Sequence, residues 1–157
     1  MSSLGHIFQI SASEGGVPKL GLHRAEVTGA GLAGDRHRNA EHHGGSERAL
    51  CLFSLERILA LQGEGHPVFP GALGENLTLA GLDWSQVVPG ARLRLGEAVS
   101  IEVTRYTTPC SNLTASFRDG DFNRVSQETN PGWSRLYARV IAEGLIRIGD
   151  PVELVQA

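Results

Sequence analysis

The chain has 157 residues, 41% of them apolar and 20% charged, which suits one domain able to bury a core without disulfides or a structural metal. Lys and Arg number 14 against 17 Asp and Glu, and the resulting net charge of −3 lacks the basic excess of a general nucleic-acid binder. No apolar run reaches the roughly 18 residues that cross a bilayer, and the opening residues lack a charged stretch followed by an apolar one, so a cytoplasmic protein is expected, with no membrane and no nucleic-acid polymer among its partners.

In chain order, residues 6–12 form a β-prone run that ends at Gly15-Gly16-Val17-Pro18-Lys19, and residues 22–28 alternate imperfectly as a weaker strand. Residues 29–48 follow with no helical or strand period. A loop of about 20 residues in a compact domain is usually functional, and this one gathers glycines, three histidines and three arginines with little apolar material. Residues 49–53 read as a buried strand, and Ser54 is a good N-cap for a helix that ends near Gly63. Gly74-Glu75-Asn76 opens a strand over 77–79, and residues 82–88 make a turn around Trp84.

Residues 91–95 and 98–104 predict a β-hairpin. In its second arm Val99, Ile101 and Val103 alternate with Ser100, Glu102 and Thr104, so that one face is buried. The hairpin delivers the chain to Thr107-Thr108-Pro109-Cys110-Ser111-Asn112-Leu113, followed by a short helix over 111–119 and a polar loop over 119–131. Trp133, Leu136, Tyr137, Val140 and Ile141 fall at helical spacing, with Gly144 as the stop, which predicts a helix lying on the sheet. Residues 145–148 and 152–155 close the chain as a second hairpin. About seven or eight strands and two or three helices, without regular β-α alternation, point to a mainly β fold: a barrel-like, strongly curved mixed sheet with peripheral helices.

Two cysteines are available. Cys51 lies in an apolar run and reads as packing, whereas Cys110 follows a proline and precedes polar residues. A thiol at the start of a helical turn is drawn toward thiolate, the form that ligates metal or carries sulfur; the alternative is a half-buried structural cysteine. The loop histidines admit three readings. His37, His42 and His43 with Asp35 can be set against zinc, but their spacing fits neither the i, i+4 helical pair nor a finger motif. As an anion site, Gly31, Gly34, Gly44 and Gly45 offer backbone amides while Arg36, His37 and Arg48 supply charged donors. A solvated loop with scattered charge is the third. Lys19 and Arg105, taken singly, read as surface charges.

Taken together and in order, Gly15-Gly16-Val17-Pro18-Lys19, Gly31-Leu32-Ala33-Gly34-Asp35-Arg36-His37, His43-Gly44-Gly45 with Arg48-Ala49, Gly74-Glu75-Asn76-Leu77, Pro109-Cys110 with Asn112-Leu113, and Gly149-Asp150 resemble the MOSC domain, the module named for the C-terminal part of molybdenum cofactor sulfurases, in its small stand-alone bacterial form. The resemblance spans nearly the whole chain and implies one such domain over residues 1–157. It further implies a β-rich, barrel-like fold and a site for molybdenum cofactor, a pterin dithiolene carrying a phosphate. By position Cys110 is the family cysteine, which either ligates molybdenum or receives sulfur as a persulfide. Lys19, Asp35, Arg36, His37, His43, Arg48, Asn76 and Asn112 are the implied cofactor-binding residues. A soft metal suits a thiolate, and a pterin phosphate suits the basic, glycine-rich loop.

The chain carries no desulfurase domain and no iron–sulfur or flavin motif. Activity therefore calls for a separate partner, and the resemblance implies which: an electron-donor reductase, with an N-hydroxylated base or similar small molecule as substrate as in the related enzymes that reduce N-hydroxylated compounds, or a cysteine desulfurase, to which any pyridoxal phosphate would be confined.

Overall fold

The computed structural model describes residues 4–13, 17–35 and 46–156. In chain order the elements are β1 (Leu4–Ala12), β2 (Leu20–Leu22), β3 (Arg24–Thr28), β4 (Gly31–Leu32), β5 (Leu50–Ser54), α1 (Leu55–Gly63), β6 (Leu77–Ala80), β7 (Arg92–Leu95), β8 (Val99–Tyr106), β9 (Leu136–Ala142), β10 (Gly144–Arg147) and β11 (Pro151–Gln156). The main sheet runs β11-β7-β8-β9-β5-β6-β1-β2, and a further pairing of β11 with β1 closes its first seven strands into a barrel. The expected mainly β, barrel-like mixed sheet is what forms. Closure removes the edges that an open sheet would leave unpaired. A glycine on β1 marks the tight pairing with β6: a side chain at Gly5 would run into the Ala80 carbonyl.

Side chains sort as the period of two requires. In β7, Leu93 and Leu95 point to the core between exposed arginines, and in β8 Val99, Ile101 and Val103 are buried. Strand β5 is buried along its whole length, since both its faces are covered, and this is why it reads as an unbroken apolar run. Strands β5 and β6 pair in parallel, a geometry that needs a crossover, and α1 supplies it. The helix starts where predicted: Ser54 is extended at φ −91° and ψ 130°, and its Oγ accepts the Arg57 N–H at 3.1 Å.

Four expectations need correction. Residues 136–142 are not helical; they form β9, hydrogen-bonded to β5 on one side and β8 on the other. Leu136, Ala138 and Val140 also fit a period of two, and two waiting neighbours with β-branched and aromatic residues in the run decide in favour of strand. Strands β10 and β11 both exist but do not pair with each other: β10 joins β3 and β4 in a small second sheet, while β11 goes to β7 and β1. Residues 29–48 are not structureless throughout, for Gly31 and Leu32 pair with β3 and Ser46–Arg48 form a 3-10 turn. Among the described residues α1 is the only α-helix, and the helix expected over 111–119 is a pair of 3-10 turns, Ser111–Ser116 and Arg118–Gly120.

Candidate functional site

Strand β8 runs out at Tyr106 and hands the chain to Cys110 through a short segment in which Thr107 and Pro109 are buried and Thr108 is exposed. The Thr107 N–H donates to the Arg135 carbonyl at 3.1 Å, and the Thr107 carbonyl accepts from Ser134 Oγ at 3.3 Å. Pro109 is buried and Cys110 is exposed. Cys110 is extended, at φ −142°, and caps the Ser111–Ser116 turn, whose Leu113 N–H returns to the Cys110 carbonyl at 3.0 Å. Leu113 is buried and pins the turn, so the thiol stands on a fixed support. The thiol donates to Asn112 Oδ1, which brings these two predicted residues together. Downstream, Trp133 lies under the guanidiniums of Arg57 and Arg124, 4.6 and 4.1 Å from its ring centre, and Arg124 pairs with Glu64 at 2.7 Å. These contacts fasten the segment after Cys110 to α1.

The other cysteine is different in kind. Cys51 is buried in β5, and burial pushes its thiol up to about 11 despite the opposing charge of Arg135. At neutral pH it stays a thiol and packs, as the sequence suggested.

A second group of predicted residues converges on Asp35. Its Oδ2 accepts from Lys19 Nζ at 2.6 Å and from Asn76 Nδ2 at 2.7 Å, while its Oδ1 accepts the Ser13 N–H at 2.9 Å. Asn76 also bridges strands: Nδ2 reaches the Ser11 carbonyl at 3.2 Å, and Oδ1 accepts the Cys51 N–H at 2.9 Å. Lys19 and Asn76 are buried. Lys19 is thus an internal cation rather than a surface charge, and with Asp35 it ties the chain leaving β4 to β1 and to the β5–β6 crossing.

Two residues that the sequence reading passed over join these groups. Tyr137 stands opposite Cys51 on β5 and opposite Arg105 on β8. Arg48 lies 5.6 Å over its ring. Its phenol is pushed up, first by burial and then by Cys51 and Cys110, while Arg135 and Arg48 pull it down. Cys51 in turn feels Arg135, Glu75, Lys19 and Asp35. One continuous neighbourhood of hydrogen bonds and strand pairs therefore runs from Lys19 and Asp35, through Asn76 and Cys51, to Tyr137, and the Cys110 charge acts on that phenol. Arg135, buried and donating to the Leu73 carbonyl at 2.7 Å, lies within it. The available signal was the alternation of Leu136, Ala138 and Val140 with Tyr137, Arg139 and Ile141, which a helical reading of the same residues hides.

Arg36, His37 and His43 lie outside the described residues, as does the zinc reading that adds His42. Among the described residues no three His, Cys, Asp or Glu side chains converge as a metal-binding group.

The sequence and the fold have counterparts. YiiM of Escherichia coli strain K12 is 38% identical over 138 residues, covering 82% of this chain and 58% of YiiM. A protein named Reductase from Gibberella moniliformis is 30% identical over 131 residues, covering 80% of this chain and 23% of that one. The chain thus spans little more than half of the first relative and about a quarter of the second. The crystal structure of YiiM from Geobacillus stearothermophilus superposes with a TM-score of 0.74 at 26% identity, over 97% of this chain and 75% of that one. The sequence model of the MOSC domain matches residues 39–153, the stretch that holds β5 to β9 and Cys110, and the chain belongs to the MOSC domain family.

Proposed function

We propose that the chain binds a molybdenum cofactor with Cys110 as the protein ligand to the metal, and that it acts as the terminal component of a reductase for N-hydroxylated bases or similar small molecules. The observation that carries this reading is the contrast between the thiols: Cys110 is exposed on a pinned turn, and Cys51 is buried and held protonated.

The donor set suits such a group. A soft metal that arrives with its own sulfur ligands asks the protein for one thiolate rather than a full cage. The anionic end of the cofactor asks for cations, and Arg48, over the Tyr137 ring, and Arg135, two residues before Tyr137 in the chain, are at hand. In this reading Cys110 anchors the metal, Asn112 orients the thiol, and Arg48 and Arg135 hold the anionic end. Lys19, Asp35 and Asn76 set the floor, and Tyr137 contributes a neutral phenol. When bound, the cofactor supplies two-electron oxygen-atom chemistry. Two cysteines fall short of the four thiolates of an ordinary iron–sulfur cluster, so in this reading the electrons come from a donor outside these 157 residues. The name of the Gibberella relative agrees with a reductive role.

Elemental and pterin analysis of protein made in a host with intact cofactor synthesis tests this. Wild type should carry molybdenum and pterin, and Cys110→Ala should lose the metal while keeping its circular dichroism. Absence of molybdenum from wild type, where a control molybdoenzyme loads, would end the proposal. The exposure of Cys110 also favours a second reading, a sulfur carrier that delivers a persulfide to a metal cofactor. Its sign is a one-sulfur mass gain after incubation with a cysteine desulfurase, absent from Cys110→Ser.

A further inference from the structure

Among the described residues, the buried side-chain atoms without a hydrogen-bond partner are Glu75 Oε1, Thr107 Oγ1 and Arg135 Nε. They are not scattered through the core. The Thr107 N–H binds the Arg135 carbonyl at 3.1 Å, and Arg135 Nη1 binds the carbonyl of Leu73 at 2.7 Å, just before Glu75 in the chain. The Arg135 charge acts on the Glu75 carboxyl, yet no hydrogen bond joins the two. The other carboxyl oxygen, Oε2, is already committed to the Gly71 N–H at 3.0 Å and to Thr78 Oγ1 at 3.1 Å. Glu75 Oε1 and Arg135 Nε thus share no direct bond although the Arg135 charge reaches the carboxyl, and a water can join two polar groups that do not meet directly.

The three atoms are also chemically complementary. A guanidinium Nε can only donate, a carboxylate oxygen can only accept, and a hydroxyl does either. A water that accepts from Arg135 Nε and donates to Glu75 Oε1 has its remaining bond to exchange with Thr107 Oγ1. Buried waters make about three such bonds, to polar groups that otherwise have none.

We infer that Glu75, Arg135 and Thr107 form the seat of one internal water that ties the segment leading to Cys110 to the segment between α1 and β6. The seat is a positioning device. Thr107 begins the segment that leads from β8 to the thiol, and the water fixes its side chain where the bonds with Ser134 Oγ and the Arg135 carbonyl fix its main chain. The inference rests on atoms of the polypeptide and stands whether Cys110 holds a metal or a sulfur.

A crystal structure of the wild-type protein, at a resolution that shows ordered waters, tests it together with hydrogen exchange on variants. One water peak within hydrogen-bonding distance of all three atoms is expected. Thr107→Val, which keeps the shape and removes the hydroxyl, should raise amide exchange over residues 107–113 about tenfold, the factor set by one net hydrogen bond, while Thr107→Ser stays near wild type. A direct Arg135–Glu75 bond in the density, no peak there, or a chloride identified by anomalous scattering would each overturn the inference. So would unchanged exchange in Thr107→Val. Should that variant fail to fold, the wild-type density decides alone.

Discussion

At the scale of single residues, the two thiols show how one side chain acquires two chemistries. Cys51 faces desolvation on β5 and its ionisation is pushed up to about 11, whereas Cys110 stands exposed beside Asn112. Brief treatment of the native protein with iodoacetamide should therefore label Cys110 alone, and Cys51 only after denaturation, as peptide mass spectrometry would show. Early labelling of Cys51 would contradict the burial on which the assignment rests. Glu75 offers a second measurement. Burial raises its carboxyl above the ordinary 4.5, against the pull of the Gly71 amide, Thr78 and Arg135. A carboxyl whose folded value is raised contributes stability that is complete below the unfolded value and is lost as pH rises through the folded one. Urea midpoints of wild type should fall relative to Glu75→Gln as pH increases from about 4 toward neutrality; parallel curves would show that Glu75 does not titrate in this way.

Secondary structure elements bring residues into register, and two of them make separate predictions. The α1 cap is local: Ser54 Oγ meets the Arg57 N–H at 3.1 Å, and Ser54→Ala should lower unfolding stability by about 1 kcal/mol with little change in the spectrum. The Lys19–Asp35 pair is not local, for it joins the chain after β4 to β1 and β6 from within the protein, with side-chain exposures of 7% and 2%. Lys19→Met would leave the Asp35 carboxylate buried without its cation, a loss of roughly 3–5 kcal/mol. Adding Asp35→Asn should recover part of that loss, since no buried charge remains and the amide oxygen still accepts the Ser13 N–H, while the new amide nitrogen can no longer accept from Asn76 Nδ2. A double variant no better than the single one would show that the charge itself is not the issue.

At the scale of the whole molecule, barrel closure is the feature to probe. Strands β1 and β11 meet with Leu4 opposite Glu153, Gly5 opposite Val152 and His6 opposite Pro151. Removal of residues 151–156 leaves β1 and β7 without this partner, and an opened sheet exposes both core and edges. Such a truncation should bind a hydrophobic dye, lose near-ultraviolet circular dichroism and unfold without a sharp transition, and a sharp wild-type-like melt would show that the seam is dispensable.

How much of this was legible follows from what each feature depends on. The alternation in β8, the Ser54 cap, the buried run of β5 and the unlike settings of the two cysteines are written in neighbouring residues, because side-chain period and capping act over a few positions. By itself the sequence therefore determined the β-rich class, the thiol to watch and the family. It did not determine β9, whose residues satisfy the helical and the strand period alike until β5 and β8 stand on either side. Nor did it determine that β11 closes onto β1, or that Tyr137 lies across from Cys51. These are pairings between segments far apart in the chain, and their register is chosen by the packing of a common core, so only the tertiary structure could join Lys19 and Asp35 to Asn76 and, through it, to Cys51.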